Sequence, residues 1–117
     1  MRDVEQLEES FAPFGIRSGS ELYLPLIHAK RLVEECSRKA IAVVGVDFVR
    51  FQNGAVIPSI PINSADWSAF LKGSNWNEIV ERCNRASLKV LNRELTENPE
   101  QFCSMMLVSM DDWKRGL

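Results

Sequence analysis

One histidine, one tyrosine and three cysteines are few side chains for 117 residues to offer to metal, redox or acid–base chemistry beyond the carboxylates. A lone His28 cannot form the paired-histidine helix of a zinc protease, and no glycine-flanked serine marks a nucleophile elbow. Cys36, Cys83 and Cys103 are widely spaced and contain no Cys-x-x-Cys, so a zinc finger lacks its ligands; free, buried thiols in a reducing compartment are expected. Gly15, Gly19 and Gly45 stand in no phosphate-binding loop. The adjacent acids Glu8-Glu9, Glu34-Glu35 and Asp111-Asp112 read as solvated surface rather than as a catalytic pair sharing a pocket. No apolar run is long enough to cross a bilayer, and the opening MRDVEQLEES has no apolar signal core.

Charge of either sign is not in excess. Residues 1–39 carry six bases against seven acids and the remainder eight against nine, for a net charge of −2. A dedicated nucleic-acid binder shows a clear positive surplus, so direct nucleic-acid binding is not expected. With 45% hydrophobic and 26% charged residues, the expectation is one cytoplasmic globular domain over residues 1–117, with no cofactor, no metal and no enzymatic activity.

What is present is organised around Ala40–Ile62, the most apolar stretch. Ile41, Val43, Val44, Val46, Phe48, Val49 and Phe51 suit a pleated strand, apolar on both parities at its start. Asn53-Gly54 tolerates the positive φ angles of a type I′ turn. That turn sets Phe51 opposite Val56, Arg50 opposite Ile57 and Val49 opposite Pro58. Pro58 and Pro61 cannot donate to a ladder, so the second arm is expected at the sheet edge, or ending early, and the first arm inside. Asp47 is an acid in an apolar strand, a rim position or a polar contact on an exposed sheet face.

Before the hairpin, Val4, Leu7 and Phe11 have helical spacing and Pro13 and Gly15 stop that helix. Residues 17–20 read as a polar loop. A second helix is expected to begin between Ser20 and Pro25 and to bury Leu26, Ala29, Val33 and Cys36, leaving His28 off the stripe. After the hairpin, residues 64–67 cap a short helix reaching Leu71. The longest helix follows, from Trp76 to Leu95, burying Trp76, Val80, Cys83, Ser87, Leu91 and Leu95. Its outer face carries a basic stripe, Arg82, Arg85, Lys89 and Arg93, which Glu78 and Glu81 partly neutralise one turn earlier. Phe102–Met110 reads as a returning strand, and Asp111-Asp112-Trp113 as either a docking spot or a tryptophan folded back on the sheet. The predicted fold is α+β in the order α-α-β-β-α-β: a small antiparallel sheet of the hairpin 40–62 and strand 102–110, with helices on one face.

The run GVDFVRFQNG over residues 45–54, then Ile57-Pro58 and Ala65-Asp66-Trp67-Ser68, resembles a pattern of small immunity proteins of bacterial polymorphic toxin and contact-dependent inhibition systems. There an acid-bearing strand turns through glycine into a proline-bearing strand, and an Ala-Asp-aromatic-Ser helix start follows; Trp67 stands where a smaller aromatic is usual. The resemblance implies a cytoplasmic inhibitor that covers the active site or substrate surface of one cognate toxin domain, a basic nuclease being one that mild acidity suits. Acids that steer and aromatics that anchor then become the contact candidates: Asp47, Asp66, Trp67, Glu78, Asp111, Asp112 and Trp113. The alternative from another class is a type III-like secretion chaperone, also small, acidic and α+β, which as a dimer would hold an extended effector segment.

Overall fold

The computed structural model describes residues 3–116, without the side chains of residues 59–63, Pro61 among them. Helix α1 (Asp3–Phe11) passes through a 3-10 turn (Ala12–Phe14) into a hairpin, β1 (Ile16–Ser18) and β2 (Glu21–Pro25). Helix α2 (Leu26–Arg38) leads to the long hairpin β3 (Ala42–Gln52) and β4 (Ala55–Asp66). A second 3-10 turn (Ser68–Lys72), helix α3 (Trp76–Glu97), strand β5 (Phe102–Val108) and helix α4 (Met110–Lys114) complete the chain. The strands form one antiparallel sheet in the order β1-β2-β5-β3-β4. The fold is α+β, as the sequence indicates.

The long hairpin has the register its turn dictates. Asn53 (φ 52°) and Gly54 (φ 79°) take the left-handed angles of a type I′ turn. Phe51 lies opposite Val56, Arg50 opposite Ile57 and Val49 opposite Pro58. β3 is an inner strand between β4 and β5, and β4, which carries Pro58, is an edge. β4 does not end early: its register jumps between Phe48 and Val49, and pairing resumes through to Asp66 opposite Gly45.

The element order differs from the expected one at two places. Residues 16–25 form the hairpin β1–β2 where a polar loop and a helix start were expected. Leu22 and Leu24 are buried while Tyr23 between them faces the other way, a period of two that five residues are too few to advertise against the proline. Pro25 sits at φ −53°, ψ 146°, extended rather than helical, so α2 starts one residue later. At the other end, β5 stops at Val108 and Met110 opens α4, because Ser109 caps that helix through the amide of Asp112 (3.1 Å). Asp111, Asp112 and Trp113 are thus helical.

Buried apolar side chains fall into two clusters. The larger joins α1 and α2 to one face of the sheet through Leu7, Phe11, Leu24, Leu26, Val33, Ile41, Val46, Phe48 and Leu91. The smaller gathers Ala42, Val44 and Val108 at one end of the sheet under Trp76, Ile79, Val80 and Cys83, with Trp67, Leu71 and Trp113 packed around them. Helices on one face were expected; α3 instead contributes to both clusters. A bulge in β3 between Val43 and Gly45 makes this possible, since it exchanges the parity that faces each cluster.

Residues 41–44 extend past the last paired residue of β4, and α3 supplies the missing partners. The Asn84 amide accepts from the Val43 N–H (2.8 Å) and donates to the Ile41 carbonyl (3.0 Å) and the Ser37 hydroxyl (2.9 Å). The Ser87 hydroxyl donates to the Val43 carbonyl (3.2 Å). The indole N–H groups close the same corner, Trp76 onto the Ala40 carbonyl (2.8 Å), Trp67 onto the Ser87 hydroxyl (3.1 Å) and Trp113 onto the Leu71 carbonyl (2.8 Å).

Candidate docking face of the sheet

The face of the sheet turned away from the larger core is built by alternation. In β3 beyond the bulge, Val46 and Phe48 enter the core, so Gly45, Asp47, Val49 and Phe51 take the other side. Their partners across β5 are Met106 opposite Gly45, Ser104 opposite Asp47 and Phe102 opposite Val49. On β4 they are Asp66, Ser64, Pro58 and Val56 in the same order. Tyr23 of β2 and Ile16, directly opposite it on β1, extend the face.

Its chemistry is apolar with acids. Tyr23, Phe51 and Phe102 pack edge to face, with centroids 5.6 Å apart for Tyr23–Phe51 and 5.0 Å for Phe51–Phe102. Met106 is 64% exposed and Ile16 41% exposed. The charged residues that share the face by register are Glu21, Asp47 and Asp66, whereas Arg17 and Arg50 lie on the opposite parity, across from Leu22 and Ile57. Asp47 is exposed and, among the described residues, has no hydrogen bond or ion pair. Asp66 accepts from the Ser68 amide (2.7 Å), and the Ser68 hydroxyl and amide together lower its pKa, so it stays ionised.

The candidate residues separate into four places. Asp47 and Asp66 share the sheet face. Trp67 is half-buried with its indole spent on Ser87, and Trp113 is half-buried and stacked on Trp76 at 5.2 Å, folded back rather than projecting. Asp111 and Asp112 occupy the first turn of α4. Glu78 sits in the first turn of α3 and pairs with Arg82 at 3.2 Å. The basic stripe is largely neutralised along its own helix, Arg85 pairing with Glu81 and Arg93 with Glu94 (3.1 Å).

Sequence reasoning passed over Tyr23, Phe51, Phe102 and Met106 as contacts. The alternation Asp47-Val49-Phe51 and Phe102-Ser104-Met106 held the signal, but a strand with one apolar parity reads equally as core facing. Met105 and Leu107, not Met106, pack on the larger core.

Elsewhere the chemistry is closed. A groove of about 420 Å³ between the end of α2 and α3 is lined by Ser37, Ala40, Val80, Asn84 and Leu88, and its amide and hydroxyl already bond to each other and to the backbone. His28 is half-buried against the Phe14 ring at 4.6 Å, and its Nδ1 takes no hydrogen bond among the described residues. Burial pushes the Cys36 thiol up to about 12 and the Cys83 thiol to about 11; burial, then the charge of Asp47, takes Cys103 to about 12. Among the described residues no three histidine, cysteine, aspartate or glutamate side chains converge as a metal site, and no helix is long and apolar enough to cross a membrane. Comparison with protein-family models, with curated proteins and with solved structures found no match in any of the three.

Proposed function

We propose that this protein is an immunity-type inhibitor that docks one basic toxin domain on the sheet face turned away from the larger core and blocks it by occlusion, without catalysis of its own. The observation that carries the reading is the face itself: an aromatic row and a 64%-exposed Met106 beside acids, with no base sharing the surface by register among the described residues. Exposed apolar area rimmed by polar groups suits a protein interface, and charge of one sign steers a partner of the other. The residues that bear the resemblance to immunity proteins, 45–54, supply an inner strand of this face, β3, and the turn that follows it. In this reading the inhibitor works in the cytoplasm, where its toxin arrives.

The test is growth rescue. The cognate toxin domain, identified by stoichiometric co-purification, is expressed in cells together with the wild-type chain or with Met106→Glu. Protection by the wild type and its loss in the variant, at equal soluble levels, is the expected result. Equal protection by both would remove the sheet face from the mechanism.

A further inference from the structure

We infer that Met106 is a modification site for hydrogen peroxide, and that oxygen transfer to its thioether releases a partner docked on this face. The release rests on the docking reading above; the oxidation does not.

The described methionines are sorted by the elements that carry them. Met105 of β5 faces inward and packs on the larger core. Met106, its neighbour, points the other way and is 64% exposed, while Met110 at the start of α4 is 41% exposed. What bares Met106 is the lack of side chains on both of its flanks. Its partner on β3 is Gly45, where even an added Cβ would stand 3.8 Å from the Met106 Cβ. On the other flank the ladder sets Leu24 opposite Cys103 and Pro25 opposite Phe102 and goes no further. No residue of β2 therefore pairs with Met106.

An accessible thioether reacts with two-electron oxidants. The sulfur lone pair attacks one oxygen of hydrogen peroxide, and the S–O bond forms as the O–O bond breaks. The departing hydroxide takes a proton and leaves as water; sulfur loses the two electrons that the peroxide gains. The nearest thiol does not compete, because Cys103 is buried and burial holds it protonated.

The product is a polar, chiral sulfoxide in place of a flexible apolar side chain, and reduction by methionine sulfoxide reductase restores the thioether. A partner seated on the face has to bury the new oxygen. The charged residues that share the face there, Asp47 and Asp66, are acceptors and offer it no proton. A polar atom buried without a donor weakens the contact.

The test treats the free protein with hydrogen peroxide and maps the oxidised positions by mass spectrometry of its peptides. Oxygen is expected on Met106 ahead of Met110 and Met105, with Cys103 unchanged. Oxidation that begins at Met110 or Met105 overturns the site. In calorimetric titration with the intact partner, the oxidised chain should bind about tenfold more weakly and recover after methionine sulfoxide reductase. Met106→Leu, compared with itself before and after peroxide, should show no loss. A loss in that variant equal to that of the wild type, or full affinity in the wild type oxidised at Met106, overturns the switch. Failure of Met106→Glu to bind in that case leaves the docking face standing; full affinity in Met106→Glu as well overturns both.

Discussion

The Asn84 side-chain amide pairs with β3 as a neighbouring strand would, taking the Val43 N–H on its oxygen at 2.8 Å and giving its own N–H to the Ile41 carbonyl at 3.0 Å. A helix thereby completes the sheet where β4 has already turned away. Asn84 is 2% exposed, so neither backbone group has water to fall back on. Replacing Asn84 with leucine leaves a buried donor and a buried acceptor unmet, each costing about 1–3 kcal/mol. Urea unfolding of Asn84→Leu should show a midpoint lowered by the equivalent of about 3 kcal/mol with little change in slope. A loss below that of an ordinary surface substitution, within about 0.5 kcal/mol, would show that the corner is not held this way.

Trp113 stacks on Trp76 and bonds to the Leu71 carbonyl, so its work is inside the molecule. Trp113→Phe keeps a ring but removes the indole N–H, and stability should drop by about 1–2 kcal/mol while partner affinity stays at the wild-type value. Paired thermal-melt and calorimetric titration measurements separate the two effects. A variant that is fully stable yet fails to bind would return Trp113 to the interface.

The three thiols set an alkaline limit. In the unfolded chain they ionise from about 9, whereas in the folded protein burial holds Cys36 and Cys103 protonated to about 12 and Cys83 to about 11. The folded state therefore binds more protons above pH 9, and stability, fully present below that value, declines as pH rises toward 12. Chemical denaturation between pH 7 and 10.5 should show a plateau and then a fall, flattened in Cys36→Ala/Cys103→Ala relative to its own plateau. Native protein at pH 8 should also resist thiol reagents, reacting only at the rate of unfolding.

Gly54 at φ 79° closes the long hairpin, and alanine there would be strained. Gly54→Ala should cost about 1 kcal/mol, and Asn53→Gly much less, by the same unfolding assay. A neutral Gly54→Ala would mean that the turn relaxes without disturbing the register.

How much of this was legible before the structure depended on how local the signal was. The Asn53-Gly54 turn fixes its own register, and β3, β4 and the edge role of Pro58 followed from it. The stripe Trp76–Leu91 is long enough to declare a helix. Glu21–Pro25 was hidden because a five-residue strand ahead of a proline has the same apolar content as a helix start, and its pairing with β1 and β5 is decided by distant residues. The docking face was half visible. Asp47 announced itself as an acid in an apolar strand, but Met106 and Phe102 turn outward only because the β3 bulge sets the alignment of β5, which no single segment records. Asn84 and Ser87 gave no sign either, since a polar residue on a buried helix stripe has meaning only once the free edge of β3 lies beside it.

The proposal that the sheet face turned away from the larger core binds the partner is most directly tested by calorimetric titration of the purified toxin domain into the wild type, Met106→Glu and Arg82→Glu. Met106→Glu places an unpaired charge at the centre of the proposed contact and should weaken binding at least tenfold, while Arg82→Glu, on the far helix face, should bind as the wild type does. Wild-type affinity in Met106→Glu together with a loss in Arg82→Glu would contradict the account and move the interface to the basic face of α3.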